Sequence, residues 1–485
     1  HRDLHSFPTR RSSDLLEDWG YRWLKRYMDA PQWIKEPLGR VYGLLPDTLR
    51  HGKDYPRYKQ EAALNRPEEL RRLGEARLRE TLQWAAQTVP AYAAIAAQLL
   101  TDMPAEEWLA LFPLMTKLDY KRTPQDYLSS GCTPAERLPM QTSGSVAEPF
   151  RFFLHKGVSR AKENAYIEAY SQRIGLTRKD VVLSLRGRNV RGSTADSGPL
   201  WSYEPIKRML WISPNHLDDA YMARHVEAAI AHKVSFIQGY SSAVYELARW
   251  LDFNPNARFT DAVRGVQLFS ESAEPDMIAL IEKVFDCPVL VHYGHSERAV
   301  MAGSMPDDHR YFVWPLYGHV ELIDEDGKPI TEAGVQGEVV ATGFDNRVMP
   351  FIRYRTGDLA AWSDGPEHPQ LPGYRALERI DGRNNDFFVG SDGRRIPVAS
   401  LGGLRPPEFL HVEASQYEQF TPGKVVVRLQ SATPLPGDVM AVLDNYFRVK
   451  LLGCVEPTLE VVTHIPRTAR GKRRLMIQQD RKSVV

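Results

Sequence analysis

Residues 265–291 read GVQLFSESAEPDMIALIEKVFDCPVLV: a short apolar run, a polar break, a helical stretch and a second apolar run. Gly265–Phe269 predicts a buried strand, Pro275–Phe285 a helix opening on proline, and Val289–Val291 the next strand. The same rhythm extends upstream. Val181–Leu185 and Val234–Ile237 predict strands, and Ala243–Leu251 predicts a helix. Asp218–His232 predicts a further helix that buries Met222, Val226, Ala229 and Ile230. Strands alternating with helices of about ten residues build βαβ units and a largely parallel sheet. Ligands of such sheets sit beyond the carboxyl ends of the strands. Gly239-Tyr240, Ser270-Glu271 and Tyr293-Gly294 fall at those ends.

Further upstream, Leu70, Leu73, Leu78, Leu82 and Ala85 recur at helical spacing, which predicts a helical N-terminal region. After Pro315 the rhythm changes. Val320–Ile323, the turn Asp324–Gly327 and Glu338–Thr342 predict an antiparallel element. Beyond Asp381, hairpins at Ser391-Asp392-Gly393 and Thr421–Lys424 precede one helix, Val439–Leu452. The expected organisation is an α/β chain with a large domain over 16–380, a hinge at 381–386 and a small α+β domain over 387–480. The ends, 1–15 and 481–485, lack apolar periodicity and resemble translated sequencing-adapter read-through, so they are expected to lie outside the fold.

A length of 485 residues exceeds one ordinary core, which agrees with two domains or more. Hydrophobic content of 43% and charged content of 25% are those of a globular protein. A net charge of +1 gives no support to a nucleic-acid or membrane-surface partner. Cys132, Cys287 and Cys454 lie far apart without CxxC spacing, which argues against a disulfide framework or a zinc ribbon. No apolar run reaches the roughly 18 residues that a membrane-spanning helix needs. A reducing, cytoplasmic setting is expected.

Several short motifs carry chemistry. Thr142-Ser143-Gly144-Ser145 groups hydroxyls around one glycine, as a phosphate-wrapping loop or an ordinary polar turn would. Tyr293-Gly294-His295-Ser296-Glu297 directly follows a strand, and Glu297 offers hard oxygen ligands. A zinc reading of His292, His295 and Glu297 lacks further ligands. Asp358 ends a strand-like run, where a carboxylate can accept hydrogen bonds from two vicinal hydroxyls. Gly382-Arg383-Asn384-Asn385-Asp386 is a short polar link able to absorb backbone rotation. Lys472 follows Arg470-Gly471 among Arg467, Arg473 and Arg474, either as a mobile cation or as part of a solvated basic tail. Arg186, Arg188 and Arg191 form a basic loop after a strand, suited to a phosphate of an acyl acceptor or to solvent.

In this order, these motifs resemble the adenylate-forming superfamily over roughly residues 70–480. Gly239-Tyr240-Ser241-Ser242, Ser270-Glu271 and the run Met349–Asp358 resemble its phenylacetate–CoA ligase and CapK-like branch in particular. The resemblance implies a large domain with mostly parallel sheets and an antiparallel barrel-like part, closed by a mobile C-terminal lid. It implies ATP, Mg²⁺ and coenzyme A as cofactors, a small carboxylic acid as substrate, and a thiol or amine as acceptor. By the same resemblance Thr142, Ser143, Gly144, Ser145, Glu271, Tyr293, Gly294, Ser296, Asp358 and Arg383 contact the nucleotide. Glu297 holds the metal, Asp386 is the pivot and Lys472 is catalytic, steadying charge at the α-phosphate. The chain departs from the family's phosphate loop at Val146 and Ala147, where Thr and Gly usually stand, which removes a hydroxyl and a flexible step.

The function so implied is AMP-forming activation of a carboxylic acid followed by acyl transfer to coenzyme A. Alternatives are transfer to an amine or carrier in polysaccharide or metabolite biosynthesis, or a degenerate non-catalytic nucleotide-binding homologue. A serine hydrolase with Ser241 on a strand–helix elbow is a distant competitor. A P-loop NTPase is disfavoured, because Gly52, Gly327, Gly423 and Gly471 each precede a lysine with no Ser or Thr after it.

Overall fold

The computed structural model describes residues 32–478 apart from 44, 100–101, 142–149, 187–199, 213–216, 218, 258, 384–386, 392–394, 402–406, 452 and 467–473. Strands β1 (Arg137–Gln141) and β2 (Arg151–His155) pair antiparallel, with Arg137 opposite His155.

Twelve strands form one sheet. Its parallel part contains β3 (Val182–Leu185), β5 (Met209–Ile212), β6 (Phe236–Tyr240), β7 (Val266–Phe269) and β8 (Val289–Gly294), with β4 (Trp201–Glu204) antiparallel at the edge. Every residue of β3, β6 and β7 is buried, as expected of parallel strands covered on both faces. The helices Asp219–Ala231, Ser241–Phe253 and Pro275–Phe285 provide the connections. Pro275 occupies the first turn of its helix, where the missing N–H is harmless, and Asp286 ends it in the left-handed region.

Two expectations need correction here. Ile230 is 54% exposed, whereas Met222, Val226 and Ala229 are buried as expected. It stands one residue past Ala229, about 100° further round the helix, so the buried face is narrower than expected. The strand expected at Val234–Ile237 lies at Phe236–Tyr240, because Val234 N still donates to Ala229 O in the helix exit.

The sheet continues through β9 (Met301–Met305), β10 (Asp308–Val313), β11 (Gly318–Ile323), β12 (Gln336–Gly343), β13 (Tyr354–Trp362) and β14 (Ala376–Arg383). From β8 the order is β9, β10, β14, β13, β12, β11, with every neighbour antiparallel. The part expected to be barrel-like is therefore an open extension of the parallel sheet, and no closed barrel forms among the described residues.

Helix Pro67–Thr88 packs Leu70, Leu78, Leu82 and Ala85 inward, each 0–1% exposed, which stabilises by roughly 1.5–3 kcal/mol per leucine. Its Arg77 enters a buried ionic cluster. Arg77 donates to Asp345 at 2.9 Å and to Glu61 at 2.5 Å. Lys162 lies 3.3 Å from the same Asp345 and donates to the carbonyls of Tyr317 (2.6 Å) and Phe344 (2.9 Å). Burial pulls the Lys162 ammonium down to about 8, partly offset by Asp345.

From Phe387 the chain builds separate sheets. β15 (Phe387–Val389) pairs with β16 (Arg395–Pro397). A four-stranded sheet runs β19 (Glu456–Val462), β18 (Lys424–Gln430), β17 (Ala414–Thr421), β20 (Met476–Gln478). The expected hairpin at Thr421–Lys424 joins β17 to β18, and helix Gly437–Lys450 covers Leu443 and Phe447 in an apolar core with Tyr417 and Val427. Among the described residues no helix is long and apolar enough to cross a membrane.

Candidate active site

The N-terminal half of β13 is shaped by hydrogen bonds that irregular pairing requires, and Asp358, expected to end a strand, lies at its middle. Its register with β12 shifts between Glu338 and Val340, and its register with β14 shifts between Asp358 and Ala360. Such bulges re-aim side chains. Gly357 takes φ 77°, a conformation glycine adopts without strain. Glu338 spans the irregularity, accepting from Gly357 N at 3.2 Å and from Arg355 Nε at 2.9 Å. The Thr356 hydroxyl donates to Val339 O at 2.8 Å and accepts from Asp358 N at 3.1 Å. The strand is anchored from the N-terminal region by Met115, whose N–H donates to Arg353 O and whose carbonyl accepts from Arg355 N. Arg353, buried at φ 44°, pairs with Glu321 at 2.9 Å.

β8 meets this half from the parallel side. Tyr293, 7% exposed, donates its hydroxyl to Asp358 Oδ2 at 2.9 Å and lies 3.5 Å from Thr356 Oγ1. Two motifs 65 positions apart thereby share one hydrogen bond. Asp358 stands in register with Arg383 of β14.

After Gly294 the chain turns sharply, with Arg298 N bonded to His295 O and Arg298 at φ 55°. Ala299 then passes over the paired glycines Gly318 and Gly343 of β11 and β12. A Cβ on Gly318 would stand 2.0 Å from Ala299 O, and one on Gly343 would stand 2.9 Å from Ala299 Cα. These two glycines let the turn seat deeply enough to bury Glu297, which is 6% exposed. Its Oε1 accepts from Tyr354 OH at 2.9 Å and its Oε2 bonds His295 Nδ1 at 3.1 Å. Burial alone would raise the Glu297 carboxyl, but His295, by hydrogen bond and charge, and the Tyr354 hydroxyl hold it down at about 2. Glu297 is therefore an ionised carboxylate, and His295 Nδ1 is the donor. Ser296 points to solvent.

Glu271 follows β7 and serves the start of helix Ser241–Phe253. Its Oε2 accepts from Ser242 N at 3.1 Å, and its carbonyl accepts from Ser241 Oγ at 3.2 Å. A carboxylate at a helix N-terminus is favourably placed. Ser241 is fully buried and spends its hydroxyl on that carbonyl, which argues against the competing serine-hydrolase reading. The zinc alternative, already short of ligands, gains no support: His292 packs against Tyr170 and Phe269 while His295 binds Glu297, and the described residues contain no group of three metal-ligating side chains.

The structure thus brings Tyr293, Gly294, Glu297 and Asp358 together where β8 faces β13, with Glu271 at the neighbouring strand end. The backbone of Arg383 lies beside Asp358, while its side chain falls outside the described residues. Thr142, Ser143, Gly144, Ser145, Asp386 and Lys472 also fall outside them. Sequence reasoning missed Tyr354, Thr356 and Glu338 as supports. Tyr354 and Thr356 sit inside the quoted motif, but Glu338 contacts it only through strand pairing.

No family model matches the chain. Protein CapK of Staphylococcus aureus is 24% identical over 354 residues, covering 70% of this chain and 74% of CapK. Phenylacetate-coenzyme A ligase of Pseudomonas putida is 30% identical over 77 residues, 16% of this chain and 17% of that protein. Among solved structures, 2-hydroxyisobutyryl-CoA ligase in the postadenylation state aligns with a TM-score of 0.63 and 17% identity, over 88% of this chain and 92% of that one. GH3.15 acyl acid amido synthetase aligns with a TM-score of 0.54 and 13% identity, over 81% and 86%. These two structural likenesses establish a shared fold.

Proposed function

We propose that this chain, which resembles CapK and, over a short stretch, phenylacetate-coenzyme A ligase, is an adenylate-forming enzyme that activates a small carboxylic acid with ATP and then transfers the acyl group, with coenzyme A as acceptor. The observation that supports this most is the 2.9 Å hydrogen bond from Tyr293 to Asp358. It fixes an aromatic ring and a carboxylate side by side where β8 faces β13, one suited to a base and the other to ribose hydroxyls.

In the first half-reaction a carboxylate oxygen attacks the α-phosphorus of ATP. The bond to pyrophosphate breaks, and acyl-AMP remains. In the second, the acceptor's sulfur attacks the acyl carbon and AMP leaves. Asp358 orients the ribose, Tyr293 holds Asp358 and covers the base, and Gly294 lets the chain pass close to the reacting phosphate. Glu271, Ser296 and Arg383 are assigned nucleotide contacts, as are Thr142, Ser143, Gly144 and Ser145. Asp386 is assigned the pivot, and Lys472 the cation that meets developing charge at the α-phosphorus.

Glu297 fits a magnesium ligand. Its carboxylate is ionised, and each oxygen accepts one protein hydrogen bond, leaving lone pairs for a metal. As a single protein ligand it suits an ion whose remaining positions are filled by phosphate and water. When bound, the ion would neutralise phosphate charge. A cytoplasmic setting follows from this use of ATP and coenzyme A.

Carboxylate-dependent exchange of pyrophosphate into ATP tests the reading, scanned over aryl, alkyl and amino acids. Exchange with at least one class is expected. Absence of exchange from a folded protein that binds AMP would sink the enzyme and favour the nucleotide-binding homologue. Comparing AMP release with coenzyme A and with a panel of amines separates the two acceptors. Lys472→Ala is expected to slow adenylation by about 10²–10³ while leaving transfer from preformed acyl-AMP largely intact. Equal losses in both half-reactions would remove the assigned role.

A further inference from the structure

A second group of polar side chains at the same strand ends is left unused by the nucleotide. The pairs Leu185↔Gly239, Tyr240↔Phe269 and Leu268↔Val291 place Arg186, Tyr240, Phe269 and His292 in one row across β3, β6, β7 and β8. The Arg186 guanidinium stands 4.0 Å over the Phe269 ring. The Phe269 and His292 ring centres are 4.9 Å apart. Tyr170, from helix Val158–Gln172, closes the group at 5.4 Å from His292 and 6.0 Å from Phe269.

Three of the polar groups here have no protein hydrogen-bond partner among the described residues. Among the described residues the Arg186 guanidinium makes no hydrogen bond and no ion pair. The hydroxyl of Tyr170, a residue with 0% exposure, is buried without a partner, and so is His292 Nε2. The nearby carboxylate of Glu163 is already engaged, accepting from Tyr317 OH at 2.6 Å. Buried polar groups normally find partners, so three unspent ones in contact point to a ligand that supplies them. Burial, then the positive charges of Arg186 and Arg173 against the opposing pull of Glu163, bring His292 down to about 4, so at neutral pH it is an uncharged hydrogen-bonding group.

Position relates this group to the nucleotide. Successive side chains of a strand face opposite ways, so Tyr293 turns to Asp358 while His292 turns to Tyr170 and Phe269. Gly294 follows them as the last residue of β8; a Cβ there would stand 3.0 Å from His292 Cε1. The missing side chain leaves room for the His292 ring and the Val300 carbonyl at the carboxyl end of β8, where the two faces of the strand adjoin. An acyl-adenylate joins a nucleotide to an acid, and this strand end is where the two halves of such a molecule would meet.

We propose that this row receives the far end of the acid, and that the acid carries a second oxyanion, a carboxylate in the simplest case, held by Arg186 as a bidentate pair above Phe269 with Tyr170 and His292 alongside. The proposal rests on the adenylation reading and names its substrate class.

The test is calorimetric titration of the full chain without ATP, comparing succinate and glutarate with the length-matched butyrate and valerate. Dicarboxylates are expected to bind at least about tenfold more tightly, and Arg186→Met is expected to remove about 10–100-fold of that preference. Arg186→Lys keeps part of it, because the charge remains and the planar fork is lost. Tyr170→Phe, a change of one hydroxyl that preserves packing, reduces it about threefold to tenfold. Equal binding of both series, or a preference that survives Arg186→Met in a folded protein, overturns the proposal. So does a loss confined to coenzyme A binding, which would assign Arg186 to a phosphate of the acceptor. Dicarboxylate binding without pyrophosphate release from any acid would instead refute the adenylation reading and leave the anion subsite standing.

Discussion

Asp358→Asn isolates the charge of the carboxylate at the middle of β13 without changing its shape. In the native site Oδ2 accepts the Tyr293 hydroxyl at 2.9 Å, and an amide oxygen can still do so. The backbone setting also persists, because Thr356 binds Asp358 N and Glu338 binds Gly357 N. What changes is the strength of hydrogen bonds to ribose. A bond to a charged acceptor contributes about 1.5–3 kcal/mol against about 0.5–1.5 for a neutral one, a difference near 1–1.5 kcal/mol per bond. Two vicinal hydroxyls then give about 2–3 kcal/mol, or roughly 30- to 150-fold weaker nucleotide binding. Calorimetric titration with AMP measures this directly, with thermal melting as the check that the variant folds. Tyr293→Phe is the companion variant: it leaves the charge and removes one donor, so a smaller loss is expected. Native AMP affinity in a folded Asp358→Asn protein would refute the placement of ribose on this carboxylate.

Three further outcomes are expected. Gly318→Ala forces a methyl to within 2.0 Å of the Ala299 carbonyl, and neither backbone can yield cheaply. It should cost about 1–3 kcal/mol by urea unfolding and weaken nucleotide binding through a displaced Glu297 turn; native values for both would contradict the seating described above. Lys162→Met leaves two buried carbonyls and Asp345 short of a cation, and should destabilise by about 3–5 kcal/mol. A loss below about 1 kcal/mol would mean that Arg77 alone satisfies Asp345. The third concerns acid. Glu297 is depressed to about 2 from its ordinary 4.5, so its contribution to stability is complete above pH 4.5 and is lost as pH falls toward 2. Glu297→Gln should take up about one proton fewer on unfolding across that window; an unchanged slope of stability against pH would count against the carboxylate's ion-paired state.

Much of the parallel sheet was legible because its signals are local. Helix Pro275–Phe285 begins and ends where proline and the apolar period put it. Strand β7 matches the run Val266–Phe269, since an uninterrupted apolar stretch between turn residues has few other uses. Errors arose where local signals compete. Ile230 looked like a core residue, yet its angular position on the helix sends it outward. The antiparallel part was expected to be barrel-like, whereas closure depends on which edges pair, and β4 and β11 remain apart at the two ends of the order.

The sequence by itself determined the alternation of strands and helices, the placement of motifs after the parallel strands and the family resemblance that those motifs carry. These follow from residue type and spacing along the chain, which the backbone converts directly into periodicity and turns. Only the tertiary structure decided that Tyr293 reaches Asp358, that Glu338 supports the bulge beneath it, and that Arg186 and His292 share one row with Phe269. Those contacts join residues far apart in the chain, and register, burial and the room left by Gly294, Gly318 and Gly343 choose among the pairings that the sequence leaves open.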